Sequence, residues 1–216
     1  MANENPLLAI YSSGNMSKPL HPRVLIIILY LLYFINIFFS NSYTILGDEF
    51  MSIVSTTIPY NSNILRQNLN LLLRSYPFLN VQTVGNSVLG EPIYALKLGR
   101  GPKKVFYSAS IHANEWITTP VLMKFVEDYC ISYVNRSNLY GYSVRNLFNA
   151  ISIYIMPMVN PDGVDLVTGN LAVSSPSYQK ALHIANQFPT IPFPYGWKAN
   201  LNGESLINFH HFIFKK

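Results

Sequence analysis

Two side chains that bind transition metals, His112 and Glu115, lie three residues apart in the stretch Val105–Trp116, VFYSASIHANEW. An imidazole nitrogen and a carboxylate oxygen are both ordinary ligands of Zn²⁺, each at roughly 2.0–2.2 Å from the ion. The spacing alone is a weak signal, because a histidine and a glutamate at the end of a strand also occur on ordinary solvated loops. The pair therefore predicts zinc chemistry only if the neighbouring elements bring both side chains to one point.

The residues on either side of this pair predict a strand before it and a helix after it. The run that starts at Val105 is apolar and rich in β-branched and aromatic residues, which is typical of a buried strand. Thr118 and Thr119 are followed by Pro120, and a hydroxyl cap with a proline close behind it favours a helix start. We therefore expect both candidate ligands at the end of a rigid strand, immediately before a helix.

Other apolar segments continue this alternation of strands and helices. Leucines at helical spacing predict a helix from Asn61 or Ser62 to about Ser75, and apolar runs predict strands at 81–84, 93–98 and 147–158. Strands that are continuously apolar are buried on both faces. The sequence thus predicts an α/β fold with a mixed, mostly parallel sheet and helices on both faces. The strand that carries His112 is expected centrally, with its carboxyl end open to solvent.

Three further features have structural interpretations. The helix from Pro120 has an apolar face formed by Val121, Leu122, Phe125, Val126, Cys130 and Val134, with Lys124, Glu127 and Asp128 on the opposite, solvated side. Cys130 is expected to be a buried, unreactive thiol. Asp162 lies in a predicted turn, Asn160–Gly163. His183 is expected to be an ordinary, partly exposed residue of a helix at 178–186.

The composition excludes several classes of protein. A chain of 216 residues can bury a sizeable core, and a charged fraction of only 12% excludes global disorder. The formal charge of +5 is spread along the chain rather than clustered, so no nucleic-acid partner is expected. The single cysteine excludes an internal disulfide framework and a cysteine-based zinc cluster.

An apolar stretch at about residues 24–40 predicts membrane targeting. Val24–Phe39 is apolar except for Asn36, and Lys18 and Arg23 precede it, which is the pattern of a signal peptide or an uncleaved anchor. The stretch is slightly short of the ~18–20 residues that span a bilayer, so a buried helix is the alternative. We expect residues 1–55 to form a separate N-terminal segment. The protein is then membrane-anchored or exported if the stretch is a genuine signal or anchor, and cytoplasmic otherwise.

The segment His112–Trp116, followed by Thr-Thr-Pro, strongly resembles the zinc-binding segment of the zinc carboxypeptidase family. The resemblance extends upstream through Ile64–Gly101 and downstream through Pro157–Gly163 and Trp197–Gly203, so that it covers most of the chain. Within the family, the chain looks most similar to the bacterial γ-D-glutamyl-L-diamino acid endopeptidases, which cut cell-wall peptides.

This resemblance implies a zinc metallopeptidase in which His112 and Glu115 bind one Zn²⁺. The implied substrate is a peptide, with the γ-D-glutamyl bonds of peptidoglycan stem peptides as the finer expectation, cleaved by metal-activated water while a carboxylate takes the proton. Residues 56–216 would form the N-terminal part of a zinc carboxypeptidase-like catalytic domain. The resemblance identifies no substrate-binding residue in this chain. It leaves open the oligomeric state and the choice between endopeptidase and carboxypeptidase action.

The family pattern ends after Gly203. In the family a segment of the form Val-Asp-Leu-Asn follows, whose aspartate orients the zinc-binding histidine, whereas here Glu204 follows and that aspartate is absent. The family's third zinc ligand and its general-base glutamate come later than this chain extends. We therefore expect the C-terminal half of the domain to be missing and activity to be weak or absent. His210 or His211 could replace the third ligand; a non-catalytic remnant or binding domain with a vestigial zinc motif is the other alternative.

Overall fold

The computed structural model describes residues 52–206, which belong to one compact unit. The predicted targeting stretch at 24–40 and the candidate ligands His210 and His211 lie outside the described residues. Within residues 52–206, no helix combines the length and the apolar character needed to cross a bilayer. The division of the chain at residue 55 stays a prediction.

Helices and short strands alternate through the described residues. The helices are α1 (Ser62–Ser75), α2 (Thr118–Val134), α3 (Val144–Ala150), α4 (Pro161–Val167) and α5 (Pro176–Ala185). The strands are β1 (Asn80–Asn86), β2 (Pro92–Leu98), β3 (Lys103–Ser108), β4 (Asn138–Leu139), β5 (Tyr142–Ser143) and β6 (Ile151–Met156), and a single 3₁₀ turn covers Ala113–Glu115. The predicted first helix is confirmed, since Asn61 caps α1 by accepting the backbone N–H of Ile64 at 3.0 Å.

Four strands form a mixed sheet in the order β1-β2-β6-β3. β1 pairs with β2 and β2 with β6 in antiparallel orientation, while β3 and β6 are parallel, with Val105 opposite Ile153. The predicted α/β fold with a mixed sheet is confirmed. In the described part, however, two pairings of this sheet are antiparallel and one is parallel. The short connection between β1 and β2 accounts for one of the antiparallel pairs, since it permits no parallel pair. There β3 also lies at an edge of the sheet, and not centrally as predicted.

One face of this sheet packs into a core to which four helices contribute. Leu96 and Leu98 of β2 and Ile153 and Ile155 of β6 are buried in this core with residues of α1, α2, α3 and α4, among them Leu65, Leu69, Leu72, Met123, Val126, Val144 and Val164. The opposite face carries a smaller apolar cluster, to which no residue of the described helices belongs; its buried members are Ile93, Met156 and Val159. Within residues 52–206 the two faces of the sheet thus contribute to different apolar clusters.

Helix α2 differs most from its sequence-based prediction. Glu127, expected on the solvated side, is 2% exposed, whereas Val121 and Val134 of the predicted apolar face are 63% and 54% exposed. The reason is that the segment before α1 covers this side of α2, where Glu127 accepts hydrogen bonds from Ser52. Cys130 is buried as predicted, and burial raises the pKa of its thiol to about 12.

Two other elements have shifted boundaries. The strand predicted at 147–158 begins only at Ile151, because Ser143 caps α3 and the first predicted strand residues continue that helix. The helix predicted at 178–186 is confirmed as α5, and His183 lies exposed on it.

Candidate metal centre

A tight turn leads from β3 to the candidate ligands. Ser110 has a φ of +48°, a left-handed conformation that is uncommon for serine. Its N–H donates to Oγ1 of Thr118 at 2.9 Å, and its hydroxyl shares a 2.7 Å hydrogen bond with Thr119. Thr119 in turn donates to the carbonyl of Pro157 at 2.6 Å. The threonines predicted to cap α2 therefore hold this turn instead, and α2 begins without a side-chain cap.

His112 and Glu115 lie side by side beyond the carboxyl end of β3. His112 has an extended backbone and immediately precedes the 3₁₀ turn, which brings Glu115 round to the same side. Nδ1 of His112 and Oε1 of Glu115 are 3.0 Å apart. The two side chains are 25% and 49% exposed, so both can be reached from solvent. The structure thus brings the two predicted ligands together.

This geometry fits two ligands of one zinc ion. Ligand atoms roughly 2.0–2.2 Å from a tetrahedral ion lie about 3.3–3.6 Å from each other, so the pair needs to separate by only a few tenths of an ångström. Catalytic zinc sites use three protein ligands and keep one open position. Within residues 52–206, no cluster of three His, Cys, Asp or Glu side chains could hold a metal. Among the described residues, His112 and Glu115 are therefore two candidate ligands without a third beside them.

The loop that carries the ligands is hydrogen-bonded to a distant segment, Trp197–Ala199. The backbone N–H of Ala113 donates to the carbonyl of Lys198 at 3.2 Å, and the N–H of Asn114 donates to the carbonyl of Trp197 at 3.0 Å. Oδ1 of Asn114 and Nε1 of Trp197 are buried and have no hydrogen-bond partner among the described residues. Buried polar atoms are nearly always paired. The contact between the ligand loop and the Trp197–Ala199 segment therefore contains one buried acceptor and one buried donor that have no hydrogen-bond partner among the described residues.

Asn160 connects the ligand loop, the Trp197–Ala199 segment and α4. Its side-chain amide donates to the carbonyls of Ile111 at 3.4 Å and Ala199 at 2.9 Å. Its Oδ1 accepts the N–H of Gly163 at 3.1 Å and so caps α4, with Pro161 in the first turn. The turn predicted at 160–163 is therefore the cap and first turn of a helix. This is so because asparagine followed by proline suits a helix start as well as a turn.

Gly163 allows α4 to pack directly on the ligand loop. A Cβ atom at this position would lie 2.7 Å from the Cβ of Ala113 and 2.7 Å from the side chain of Asn160. Those separations are too short for any side chain larger than that of glycine. Gly163 thus lets the N-terminus of α4 contact Ala113, one of the two residues between the candidate ligands.

Asp162 is a structural carboxylate and does not belong to the candidate site. It is 2% exposed and accepts hydrogen bonds from the hydroxyl of Ser87 at 2.7 Å and the N–H of Leu89 at 2.9 Å. Burial raises its pKa above the ordinary value of 3.8, although these two hydrogen bonds act in the opposite direction. Asp162 therefore anchors the connection between β1 and β2. Its own sequence context predicts only a turn former.

An apolar cavity of about 400 Å³ borders the Trp197–Ala199 segment. Its lining includes Phe188, Phe193 and Trp197, with Ile184 from α5 and Lys198. A cavity of this volume is within the range that binds small molecules or side chains. The segment that holds the ligand loop thus also forms a wall of this cavity.

The sequence pattern alone does not reveal the contributions of Asn160 and the Trp197–Ala199 segment. The segment acts through backbone carbonyls, which every residue type possesses, so no side-chain signal marks it. Asn160 carries one usable signal, since asparagine directly before proline is typical of a helix cap. Its contacts with the ligand loop depend on long-range packing.

Comparison with known proteins places these features in context. A family model described as zinc carboxypeptidase matches residues 65–202, more than half of the chain. Gamma-D-glutamyl-L-diamino acid endopeptidase 1 of Lysinibacillus sphaericus is 41% identical over 150 residues, which are 68% of this chain and 36% of that protein. The uncharacterized protein YqgT of Bacillus subtilis (strain 168) is 39% identical over 149 residues, 68% of this chain and 39% of that protein. The chain thus spans somewhat more than a third of the length of these relatives.

A solved structure shows the same fold. The crystal structure of thrombin-activatable fibrinolysis inhibitor superposes with a TM-score of 0.51 at 21% identity, covering 71% of this chain and 33% of that one. At this level of identity the similarity concerns the fold alone. It supports the α/β arrangement in which β3 leads to His112.

Proposed function

The chain belongs to the zinc carboxypeptidase family, and from that premise we propose that His112 and Glu115 are two zinc ligands of a peptidase active site. The observation that carries this proposal is the 3.0 Å separation of Nδ1 of His112 and Oε1 of Glu115, with both side chains accessible to solvent. A histidine–carboxylate pair is an ordinary part of a catalytic zinc site.

The chain's own residues would hold such an ion in a fixed place. Thr118 and Thr119 hold the turn before His112, and the carbonyls of Trp197 and Lys198 hold the backbone between the two ligands. When bound, zinc lowers the pKa of a coordinated water to about 7 and polarises the scissile carbonyl. The side chains would therefore meet the ion with little rearrangement, which is what a catalytic site requires.

The substrate class that the relatives favour is a peptide with a γ-D-glutamyl-L-diamino acid bond. The L. sphaericus relative is named for that bond and is 41% identical to this chain. Such bonds occur in the stem peptides of peptidoglycan, the implied partner. If residues 24–40 direct export or anchoring, the protein would reach this substrate. Cell fractionation with and without residues 1–55 tests that localisation, and an unchanged distribution would contradict it.

A second candidate function, a non-catalytic zinc-binding domain, is favoured by one specific observation. Residues 52–206 contain two candidate ligands but no group of three. Two ligands bind zinc more weakly than three and leave a water poorly held. If His112 and Glu115 are the only protein ligands, the ion would be held weakly and peptidase activity would be weak or absent.

Zinc binding and peptide cleavage by the full chain separate these possibilities. We expect one zinc ion per chain and a loss of affinity of at least tenfold in His112→Ala. The matched control is His183→Ala, which removes an exposed histidine of α5 and should leave affinity unchanged. Equal affinity in both variants would contradict the assignment of His112.

Cleavage of a γ-D-glutamyl-diaminopimelate peptide is the second measurement. Turnover in the ordinary range of enzymes, on the order of 1–10³ per second, would show that the chain is catalytically sufficient and would overturn the expectation of weak activity. Zinc binding without cleavage supports the non-catalytic alternative for this chain.

A further inference from the structure

We propose that Asn160 is a positioning residue for the candidate metal site, fixing the ligand loop against the Trp197–Ala199 segment. This inference rests on the proposed function for its purpose, but the hydrogen bonds that carry it are independent of any metal. Asn160 is 2% exposed, so its side chain contacts protein almost entirely.

The side chain of Asn160 bonds to three separate parts of the chain. Its amide group donates to Ile111, the residue before His112, and to Ala199, while its Oδ1 accepts from Gly163 in α4. Its backbone N–H also donates to the carbonyl of Ser110 at 3.1 Å. Asn160 therefore bonds both to the ligand loop and to the Trp197–Ala199 segment. These are the two parts of the chain that the N–H groups of Ala113 and Asn114 also connect.

A side-chain amide of this length is the chemical group that this position requires. Asparagine supplies two N–H donors and one carbonyl acceptor from one planar group. An ionised aspartate would keep the acceptor for the helix cap but would have no donor for either carbonyl. A serine would also keep the cap, but its single hydroxyl cannot bond to all three partners. The capping and the positioning contributions can therefore be separated by substitution.

The Asn160→Ser variant of the full, metal-free chain tests this role by amide hydrogen exchange. Loss of one to two hydrogen bonds should accelerate exchange at the amides of Ala113 and Asn114 by roughly tenfold relative to the wild-type chain. The matched control, Asn61→Ser, makes the same chemical change at the cap of α1, away from the ligand loop. It should leave exchange at these two amides unchanged relative to the rest of the domain.

Two results would overturn the proposal. One is unchanged exchange at Ala113 and Asn114 in folded Asn160→Ser, and the other is the same acceleration in Asn61→Ser. If Asn160→Ser does not fold, wild-type exchange in low denaturant replaces it: the amides of Ala113, Asn114 and Gly163 should then open together, with one denaturant dependence. Separate openings would contradict the proposed connection.

A second readout links the position to the ligands. The ring resonances of His112 should shift in Asn160→Ser and stay in place in Asn61→Ser, and zinc affinity should fall about 10–100-fold, as for other residues that orient ligands. A purely structural cap would change overall stability without moving these resonances. If the exchange effect appears but the wild-type chain binds no zinc, the proposed function fails while the positioning of the loop by Asn160 stands.

Discussion

Glu115 lies in the 3₁₀ turn before α2 and Glu127 lies within α2, and the surroundings of these two carboxylates are opposite. The side chain of Glu127 is 2% exposed and accepts hydrogen bonds from the hydroxyl of Ser52, from backbone N–H groups and from Lys124. The side chain of Glu115 is 49% exposed and is hydrogen-bonded to His112. Glu127 therefore has no oxygen free for a ligand, whereas Glu115 has.

This difference shows which acidic residue stabilises the fold and which is available for chemistry. A buried carboxylate that accepts several hydrogen bonds stabilises the fold, and the protein loses this stability when the carboxylate is removed. An accessible carboxylate with one partner gives little stability and can exchange that partner for a metal. The following predictions test this division.

The largest effect is expected for Glu127→Ala. This change leaves the buried N–H group of Val54 and the partly buried N–H group of Ile53 without acceptors, so the free energy of unfolding should fall by about 3 kcal/mol. Urea unfolding of the full chain measures it. The control is Asp128→Ala, whose carboxylate pairs with Lys124 at the surface; that change should alter stability by less than about 1 kcal/mol. Equal effects in the two variants would contradict the division.

The next effect concerns the packing of α4 on the ligand loop. Gly163→Ala adds a methyl group 2.7 Å from the Cβ of Ala113, so stability should fall by about 1–3 kcal/mol. Gly85→Ala is the control, since nothing lies within 4 Å of the added atom. Thermal unfolding compares the two. A tolerated Gly163→Ala, with no displacement of the His112 resonances, would show that the helix does not constrain the site.

The lowered pKa of Glu127 predicts that the stability of the fold depends on pH. Burial acts to raise its pKa, but hydrogen bonds from Ser52, Lys124 and Ile53 outweigh this and hold the pKa below the ordinary value of 4.5. Its contribution to stability is therefore present above pH 4.5 and is lost as the pH falls through the lowered pKa. The stability difference between wild type and Glu127→Gln should shrink in this acidic range. A constant difference from neutral pH down to the acid transition would be inconsistent with this assignment.

The smallest effect is expected for Glu115→Gln in metal-free buffer. The side chain is accessible and its one partner can be solvated instead, so stability should change by no more than about 0.5 kcal/mol. Chemical denaturation with a chelator present measures this. A loss as large as that of Glu127→Ala would mean that Glu115 has a structural role.

The sequence is informative about the site because its signals are local. The strand at Val105, the His112–Glu115 spacing and the helix after it all follow from neighbouring residues, and the structure has each of them. The predicted burial of that strand is wrong within residues 52–206, where every residue of β3 is exposed or only partly buried. Long-range packing is different. The burial of Glu127 depends on a segment more than seventy residues earlier in the chain, and helical periodicity cannot show that such a segment covers it.

Long-range contacts also account for the differences between sequence and structure at the sheet and at Asn160. Each strand is recognisable from its composition, but the position of β3 at the edge of the described sheet depends on pairing partners, not on its own residues. Asn160 has a local meaning as a helix cap and a long-range one as the contact between Ile111 and Ala199. Only the first is encoded in adjacent residues.

X-ray absorption at the zinc edge of the zinc-loaded full chain tests the central claim most directly. The account predicts a histidine imidazole among the zinc ligands of the wild-type chain, at about 2.0–2.1 Å. The imidazole contribution should fall by that of one histidine in His112→Ala and stay unchanged in His183→Ala. An unchanged imidazole signal in His112→Ala, or a wild-type spectrum without imidazole, would contradict it.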